Sequence, residues 1–283
     1  MPCLGAFTAL KGGMTESYLQ RFGGIGRLYG VQALPRLHGA HVAVIGVGGV
    51  GSWVVEALAR SGVGSLTLMD MDDVCITNTN RQLPAMAQTV GHLKVAVLAR
   101  RVVEINPECQ VQVVTEFFLE SNADRLLAPG FDCIVDAVDS TNIKALIIAK
   151  ARSLSLPVVV SGSAGGRRDP TQIKGADLGQ AGADPLLQQV RRRLREEHGF
   201  PKSPEGRVMH WGVPCVYSTE KALYPQADGS CSSQREQGAE AGLRLDCAAG
   251  FGAATFVTGT FGFALAAEVL RVLVVDKPPS AER

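Results

Sequence analysis

The stretch Gly46-Val47-Gly48-Gly49-Val50-Gly51 constrains this chain more than any other part of it. It follows a short apolar run, residues 41–45, and opens a helical pattern over residues 52–61 in which Val54, Val55, Leu58 and Ala59 share one face. A G-x-G-x-x-G between a strand and a helix lets the backbone approach a phosphate closely. The helix start adds free N–H groups and a partial positive charge. Alone the spacing is a weak signal, because any tight strand-to-helix turn can carry it. The surrounding sequence continues the same alternation. Residues 65–69 read as strand, 93–105 as helix, 111–117 as strand, 131–138 as buried strand, 143–153 as helix and 157–160 as strand. Strands separated by helices imply crossover units, and so predict an α/β, Rossmann-like fold with a mainly parallel sheet and helices on both faces.

Around that core the pattern changes. Residues 1–15 are expected to be a disordered N-terminus. Residues 16–37 read as an amphipathic helical arm, with Tyr18, Leu19, Phe22, Ile25, Leu28 and Tyr29 at helical spacing and Pro35 limiting its end. Arm and core together span 16–175. After Gly165 the regularity fails, so 176–275 reads as an elaboration on the core, with 276–283 as a tail. That elaboration holds a charged helix at 184–198, a mobile polar loop at 228–242 and an apolar closing helix from Ala248. The stretch 248–275 is long enough to raise a membrane-spanning reading. Glu268 and Arg271 lie inside it, and charge in hydrocarbon is costly, which favours a buried core helix. A cytoplasmic protein is the expectation, with membrane association through 248–275 as the alternative.

Composition limits the partners. At 46% hydrophobic and 19% charged residues, a sizeable core can be buried. The net charge of +1 gives no global pull toward nucleic acid, so any RNA contact needs a local patch. The seven cysteines form no C-x-x-C pair and are odd in number. That suits a reducing compartment and argues against a disulfide framework or a four-cysteine zinc site. No apolar signal-peptide region follows the start.

Asp70 closes the second strand 19 residues after Gly51, where a carboxylate can accept from ribose hydroxyls. To this point a dinucleotide enzyme and an ATP enzyme look alike. The next segments separate them: Asp70-Met71-Asp72-Asp73-Val74-Cys75-Ile76-Thr77-Asn78-Thr79-Asn80-Arg81-Gln82, then Gly91-His92-Leu93-Lys94, then Asp136-Ala137-Val138-Asp139. Two cations and several acids thus gather at the carboxyl ends of adjacent strands, where open α/β sheets bind ligands. Arg81 and Lys94 can neutralise phosphate charge, and Asp139 can hold a magnesium ion bridging phosphates.

The order and spacing of these segments resemble the ubiquitin-activating-type superfamily of adenylating enzymes, which includes the molybdopterin- and thiamine-pathway members. By that resemblance ATP and Mg2+ are the cofactors, and Gly46, Gly48, Gly49, Gly51, Asp70 and Asp72 line the nucleotide. Asn78, Arg81 and Lys94 engage phosphates, Asp139 is the magnesium ligand, and a homodimer is expected. Sulfur-carrier activating members usually carry zinc-binding cysteine pairs, which this sequence lacks. They also extend an arginine across the dimer; the arm here offers Arg21, with Arg27 as the second candidate and Gly24 where another arginine usually stands.

Stretches at 21–24, 46–53, 69–82 and 105–109, Gly165 with 169–172, and stretches at 224–226 and 246–255 are similar to the tRNA threonylcarbamoyladenosine dehydratase branch. That branch implies ATP-dependent ring closure on a modified adenosine beside the tRNA anticodon, through an acyl adenylate. Two other readings stand beside it: an activator of a ubiquitin-like or sulfur-carrier protein, and a non-catalytic nucleotide-binding sulfur-relay adaptor. Cys231, in a polar loop, is a candidate thiol for a cysteine-desulfurase or sulfur-acceptor partner, against the plainer reading of an incidental loop cysteine. Arg191, Arg192, Arg193 and Arg195 form a basic cluster that could contact tRNA, and Arg167-Arg168 follow a strand end and could contact phosphates. Lys202, Arg207 and Trp211 lie nearby in sequence.

Overall fold

The structure, a computed structural model, describes residues 13–128, 130–202, 209–234 and 251–275 of the chain. Five parallel strands form where the apolar runs fall: β1 (His41–Ile45), β2 (Ser65–Met69), β3 (Gln110–Val114), β4 (Cys133–Asp136) and β5 (Val158–Ser161). They are joined by α3 (Gly51–Arg60), α4 (Lys94–Ile105), α5 (Glu120–Leu126) and α6 (Thr141–Ser153). With two further strands, β6 (Ile173–Asp177) and β7 (Pro214–Ser218), the sheet runs β3-β2-β1-β4-β5-β7-β6, so the strand order reverses beside β1, opening a crevice between the carboxyl ends of β1 and β4.

Period-two alternation decides the layers. Val42 and Val44 of β1 face one core with Val54, Leu58, Leu98 and Phe261, while Ala43 and Ile45 face the other with Ile147, Ile148, Leu187 and Leu194. Helices α3, α4 and α8 (Thr255–Leu270) cover the first face, and α6 and α7 (Pro185–Glu197) the second.

The region after 175 does more than elaborate. β7 (Pro214–Ser218) pairs parallel with β5, and β6 (Ile173–Asp177) closes the edge antiparallel to β7. Both escape the sequence pattern for physical reasons. β6 carries Gly175 and few apolar residues, and β7 opens on Pro214, which a strand tolerates at its first residue. The polar segment expected to be a mobile loop begins as a hairpin of β8 (Tyr224–Pro225) and β9 (Cys231–Ser232), and its part beyond residue 234 lies outside the described residues.

The single arm expected over 16–37 is two helices, α1 (Glu16–Tyr29) and α2 (Ala33–Gly39), broken at Gly30, whose φ is +88°. Pro35 does not end a helix. It lies in the first turn of α2, where its missing N–H removes no intrahelical bond. Tyr18 donates its hydroxyl to the carbonyl of Gly62, in the turn entering β2, so α1 packs at the amino end of the sheet. The span Thr255–Val275 is long and apolar enough to cross a membrane by length and composition. In the fold, however, Val257, Phe261, Leu265 and Val269 are buried in the core, and Arg271 pairs with Glu268 at 2.8 Å.

Candidate active site

The turn from β1 into α3 is held by close backbone approach. Gly46 has φ +84°, and a Cβ there would stand 3.0 Å from the Ala137 carbonyl carbon, so the turn lies directly against the loop after β4. A Cβ on Gly51 would come within 1.9 Å of the Gly46 carbonyl oxygen; no other residue fits there. The main chain of Val47 donates to Asp70 Oδ2 at 2.9 Å and that of Asp72 to Oδ1 at 2.9 Å. Asp70 thus ties the carboxyl end of β2 to the glycine turn, and each carboxylate oxygen keeps further acceptor capacity.

From Asp72 the chain wraps the same edge. Asn78 is buried, and its amide oxygen accepts from the Cys75 N–H at 2.9 Å, which fixes the short helical turn Ile76–Asn78. Its carbonyl accepts from the main chain of Arg81 and Gln82 at 3.0 and 2.9 Å. Arg81 reaches the Thr77 carbonyl at 2.8 Å, and its side chain lies 3.8 Å from where a Gly49 Cβ would be. Its own carbonyl is held by Trp53 Nε1 at 3.2 Å and Thr258 Oγ1 at 3.0 Å, clamping it to α3 and α8. Lys94 opens α4. The main chain between Val74 and His92 pairs locally, bringing Lys94 Nζ to 2.8 Å from Asp72 Oδ2.

The loop after β4 supplies the third wall. Asp136 is fully buried and pairs with the equally buried Lys144 at 2.9 Å. Burial pushes the Asp136 carboxyl up from its ordinary value, and Lys144 works against that shift. Three residues on, Asp139 is exposed on the same loop. A chain of contacts thus links the glycine turn to the Asp136–Asp139 loop, to the Arg81 segment and, through Asp70 and Asp72, to Lys94.

Other candidates lie elsewhere. Arg21 and Arg27 are exposed on α1, at the opposite end of the sheet; Arg21 donates to the Ile105 carbonyl at 3.4 Å. The basic cluster on α7 is divided: Arg192 and Arg193 pair with Glu196 and Glu197 of the same helix, and Arg191 turns to the Leu178 carbonyl. Arg195 is half-buried on that helix, and burial lowers the pKa of Arg191. Trp211 stacks edgewise on Phe200, Lys202 is exposed, and Arg207 lies outside the described residues. Cys231 is exposed on β9, whereas Cys109 and Cys133 are buried and Cys75 is half-buried.

Sequence reasoning missed Gln82, Lys144 and Glu56. Glu56 on α3 takes Arg101 of α4 in a two-pronged pair at 2.6 and 2.9 Å, and Arg60 at 2.7 Å. This fixes the helix that opens the glycine turn against the helix that carries Lys94. The Glu56–Arg60 spacing is visible in the chain; the reach to Arg101 is not. Gln82 Oε1, Asp136 Oδ2 and all three Arg167 nitrogens are buried without a hydrogen-bond partner. Trp211 Nε1 is unpaired as well, and buried polar groups are ordinarily paired, so each of these atoms has room for a bound group or water as a partner.

This fold with this crevice defines a Rossmann-like nucleotide-binding α/β protein. The chain belongs to the ThiF family, which matches residues 24–283. It is 47% identical over 261 residues to the tRNA threonylcarbamoyladenosine dehydratase of Escherichia coli (strain K12), covering 92% of this chain and 96% of that one. The crystal structure of the E. coli tRNA N6-threonylcarbamoyladenosine dehydratase, TcdA, in complex with ATP superposes with a TM-score of 0.80 at 43% identity, covering 92% of this chain and 96% of that chain. The structure of the same enzyme in complex with AMP gives 0.80 at 43%, covering 95% and 98%.

Proposed function

We propose that this chain is an ATP-dependent tRNA threonylcarbamoyladenosine dehydratase. The observation that supports the reading is the set of contacts joining the glycine turn to the Arg81 segment, to Asp70, Asp72 and Lys94, and to the Asp136–Asp139 loop at the carboxyl ends of β1, β2 and β4. The match to dehydratases over 92% of the chain supports this function over carrier-protein activation or a non-catalytic adaptor role.

A carboxylate is a poor electrophile, so the enzyme's task is to give one of its oxygens a leaving group. A carboxylate oxygen of the threonylcarbamoyl group attacks the α-phosphorus of ATP, and pyrophosphate departs with its electron pair. A nitrogen of the same substituent then attacks the acyl carbon. The acyl C–O bond breaks, AMP leaves with the carboxylate oxygen, and the nitrogen loses a proton to solvent. The net change in the nucleoside is one water lost. The nucleophile in the second step is already tethered, so proximity supplies much of the rate. The protein's part is charge and position.

The residues present suit that task. The open glycine turn and the start of α3 offer backbone N–H groups to phosphate, and Asp70 faces the ribose from the end of β2. Lys94 and Arg81 balance charge on the departing pyrophosphate. Asp139, with Asp136 behind it, is the residue that would hold Mg2+, which when bound neutralises phosphate charge. Asn78 acts by shaping the turn that presents Arg81. A homodimer would let α1 carry Arg21 or Arg27 to the crevice of a second copy, which the position of α1 requires if either is to act there. The substrate in this reading is the anticodon loop of tRNA, and a cytoplasmic protein suits it. No sulfur moves in this reaction, so it asks nothing of Cys231 or of a desulfurase partner.

The test is mass spectrometry of nucleosides from tRNA treated with this protein and ATP. Threonylcarbamoyladenosine should lose one water, with AMP and pyrophosphate formed. An unchanged nucleoside mass refutes the reading.

A further inference from the structure

Arg167 is the most unusual charged residue outside the crevice walls already described. It is 3% exposed, and none of its three guanidinium nitrogens has a hydrogen-bond partner. Burying a guanidinium without acceptors is strongly unfavourable, so the position calls for an anion that completes it. Two acids lie close enough to attract it, Asp184 and Glu220, but both are already engaged. Asp184 caps α7, accepting from Leu187 at 3.0 Å and from Ser163 at 2.9 Å. Glu220 accepts from the main chain of Arg168 and Asp169, at 2.9 Å each. The acids hold the guanidinium charge in place and leave its N–H groups open.

Its place in the fold says which anion. Arg167 follows β5, on the same carboxyl edge as the nucleotide crevice but on the other side of the strand-order reversal from Asp70. A short strap connects the two sides. Gly166 donates to the Gly252 carbonyl at 2.7 Å, Asn80 Nδ2 to the Ala253 carbonyl at 2.8 Å, and Thr258 to the Arg81 carbonyl at 3.0 Å. The phosphates have their own partners on β1, β2 and β4. Arg167 is a second buried cation, on the β5–β7 side of the same edge and separate from the residues that the dehydratase reading assigns to phosphate.

We propose that Arg167 is the receptor for the substrate carboxylate, gripping the threonyl group through its planar N–H fork while one carboxylate oxygen is adenylated. The proposal rests on the dehydratase reading and deepens it. Arginine suits the role because its fork matches a carboxylate with two parallel hydrogen bonds, which lysine cannot reproduce.

The experiment measures binding of tRNA carrying threonylcarbamoyladenosine and of the same tRNA with that carboxylate blocked as a methyl ester. Wild type, R167K and R167Q are compared, with ATP affinity and thermal midpoint read on the same samples. Wild type should prefer the free acid by roughly thirtyfold, the effect of truncating one partner of a buried hydrogen-bonded charge pair. R167Q should bind both forms equally, R167K should fall between, and ATP affinity should be unchanged in both. An R167Q that keeps the preference overturns the proposal. So does a loss of ATP affinity in step with acid binding, which would assign the guanidinium to phosphate. If R167Q does not fold, R167K decides, and a wild-type preference there overturns it. A wild-type protein that ignores the modified base brings down the dehydratase reading and this proposal with it; failure at Arg167 alone leaves the wild-type preference intact.

Discussion

Lys94 Nζ stands 2.8 Å from Asp72 Oδ2, with the lysine side chain 6% exposed and the aspartate 60% exposed. The two ends of this pair therefore face different surroundings. The ammonium is enclosed at the first turn of α4, and the carboxylate that balances it reaches into solvent at the crevice. A phosphate entering the crevice can take over that ammonium without desolvating it afresh. Lys94→Ala should lower the dehydration rate by about 100- to 1000-fold, the range seen when one preorganised charge-stabilising donor is lost. Asp72→Asn, which leaves the lysine in place, should cost far less. Single-turnover kinetics on both variants check this, and comparable losses would contradict it.

Gly51→Ala should be far more damaging than its size suggests. Its Cβ would stand 1.9 Å from a backbone oxygen, which no side-chain rotation can relieve. We expect a loss of more than about 3 kcal/mol of stability, at the upper end for overpacking. Urea denaturation measures it, and a variant of wild-type midpoint would mean the turn relaxes freely.

The Glu56 carboxyl links pH to stability. Burial alone would raise its pKa, but hydrogen bonds from Arg101 and Arg60 outweigh burial and hold it below the ordinary value. A carboxyl lowered in the folded state adds stability that is complete above its unfolded pKa of about 4.3 and is lost as pH falls through the lower folded value. Glu56→Gln should therefore be about 1–3 kcal/mol less stable at neutral pH. The gap to wild type should close in acid. Denaturation curves taken from pH 7 down to about pH 3 test the sign, and a gap that widens in acid would reverse it.

Cys231→Ser should leave the dehydration rate unchanged. Cys231 is exposed on a small hairpin, and ring closure by adenylation calls for no protein thiol. A large fall in rate, read by nucleoside mass spectrometry, would mean the chemistry includes a covalent step at sulfur.

Much of the core was legible in the chain, and the reasons are local. Ser65–Met69 lies where its apolar run predicts, and α4 starts at Lys94, one residue from the expected start, because patterns of two and 3.6 residues are set by neighbours. The tight turn from β1 into α3 was legible because its glycines fall between an apolar run and a helical pattern. What escaped depends on partners far along the chain. β6 and β7 form because they pair with each other and with β5, which neither Gly175 nor Pro214 foretells. Arg191 to Arg195 look like one patch in sequence, yet a helix distributes them around its circumference, where Glu196 and Glu197 meet two of them. Asn78 and Asp70 look like ligand contacts, yet both also hold the backbone that shapes the crevice.

The docking of α8 carries a consequence for biosynthesis. Thr255 and Thr258 secure the carbonyls of Asn80 and Arg81, more than 170 residues earlier in the chain. During translation the first five strands can emerge and assemble while the Arg81 segment still lacks its clamp. Competence to grip a triphosphate would then arrive only once residues near 258 have cleared the ribosome.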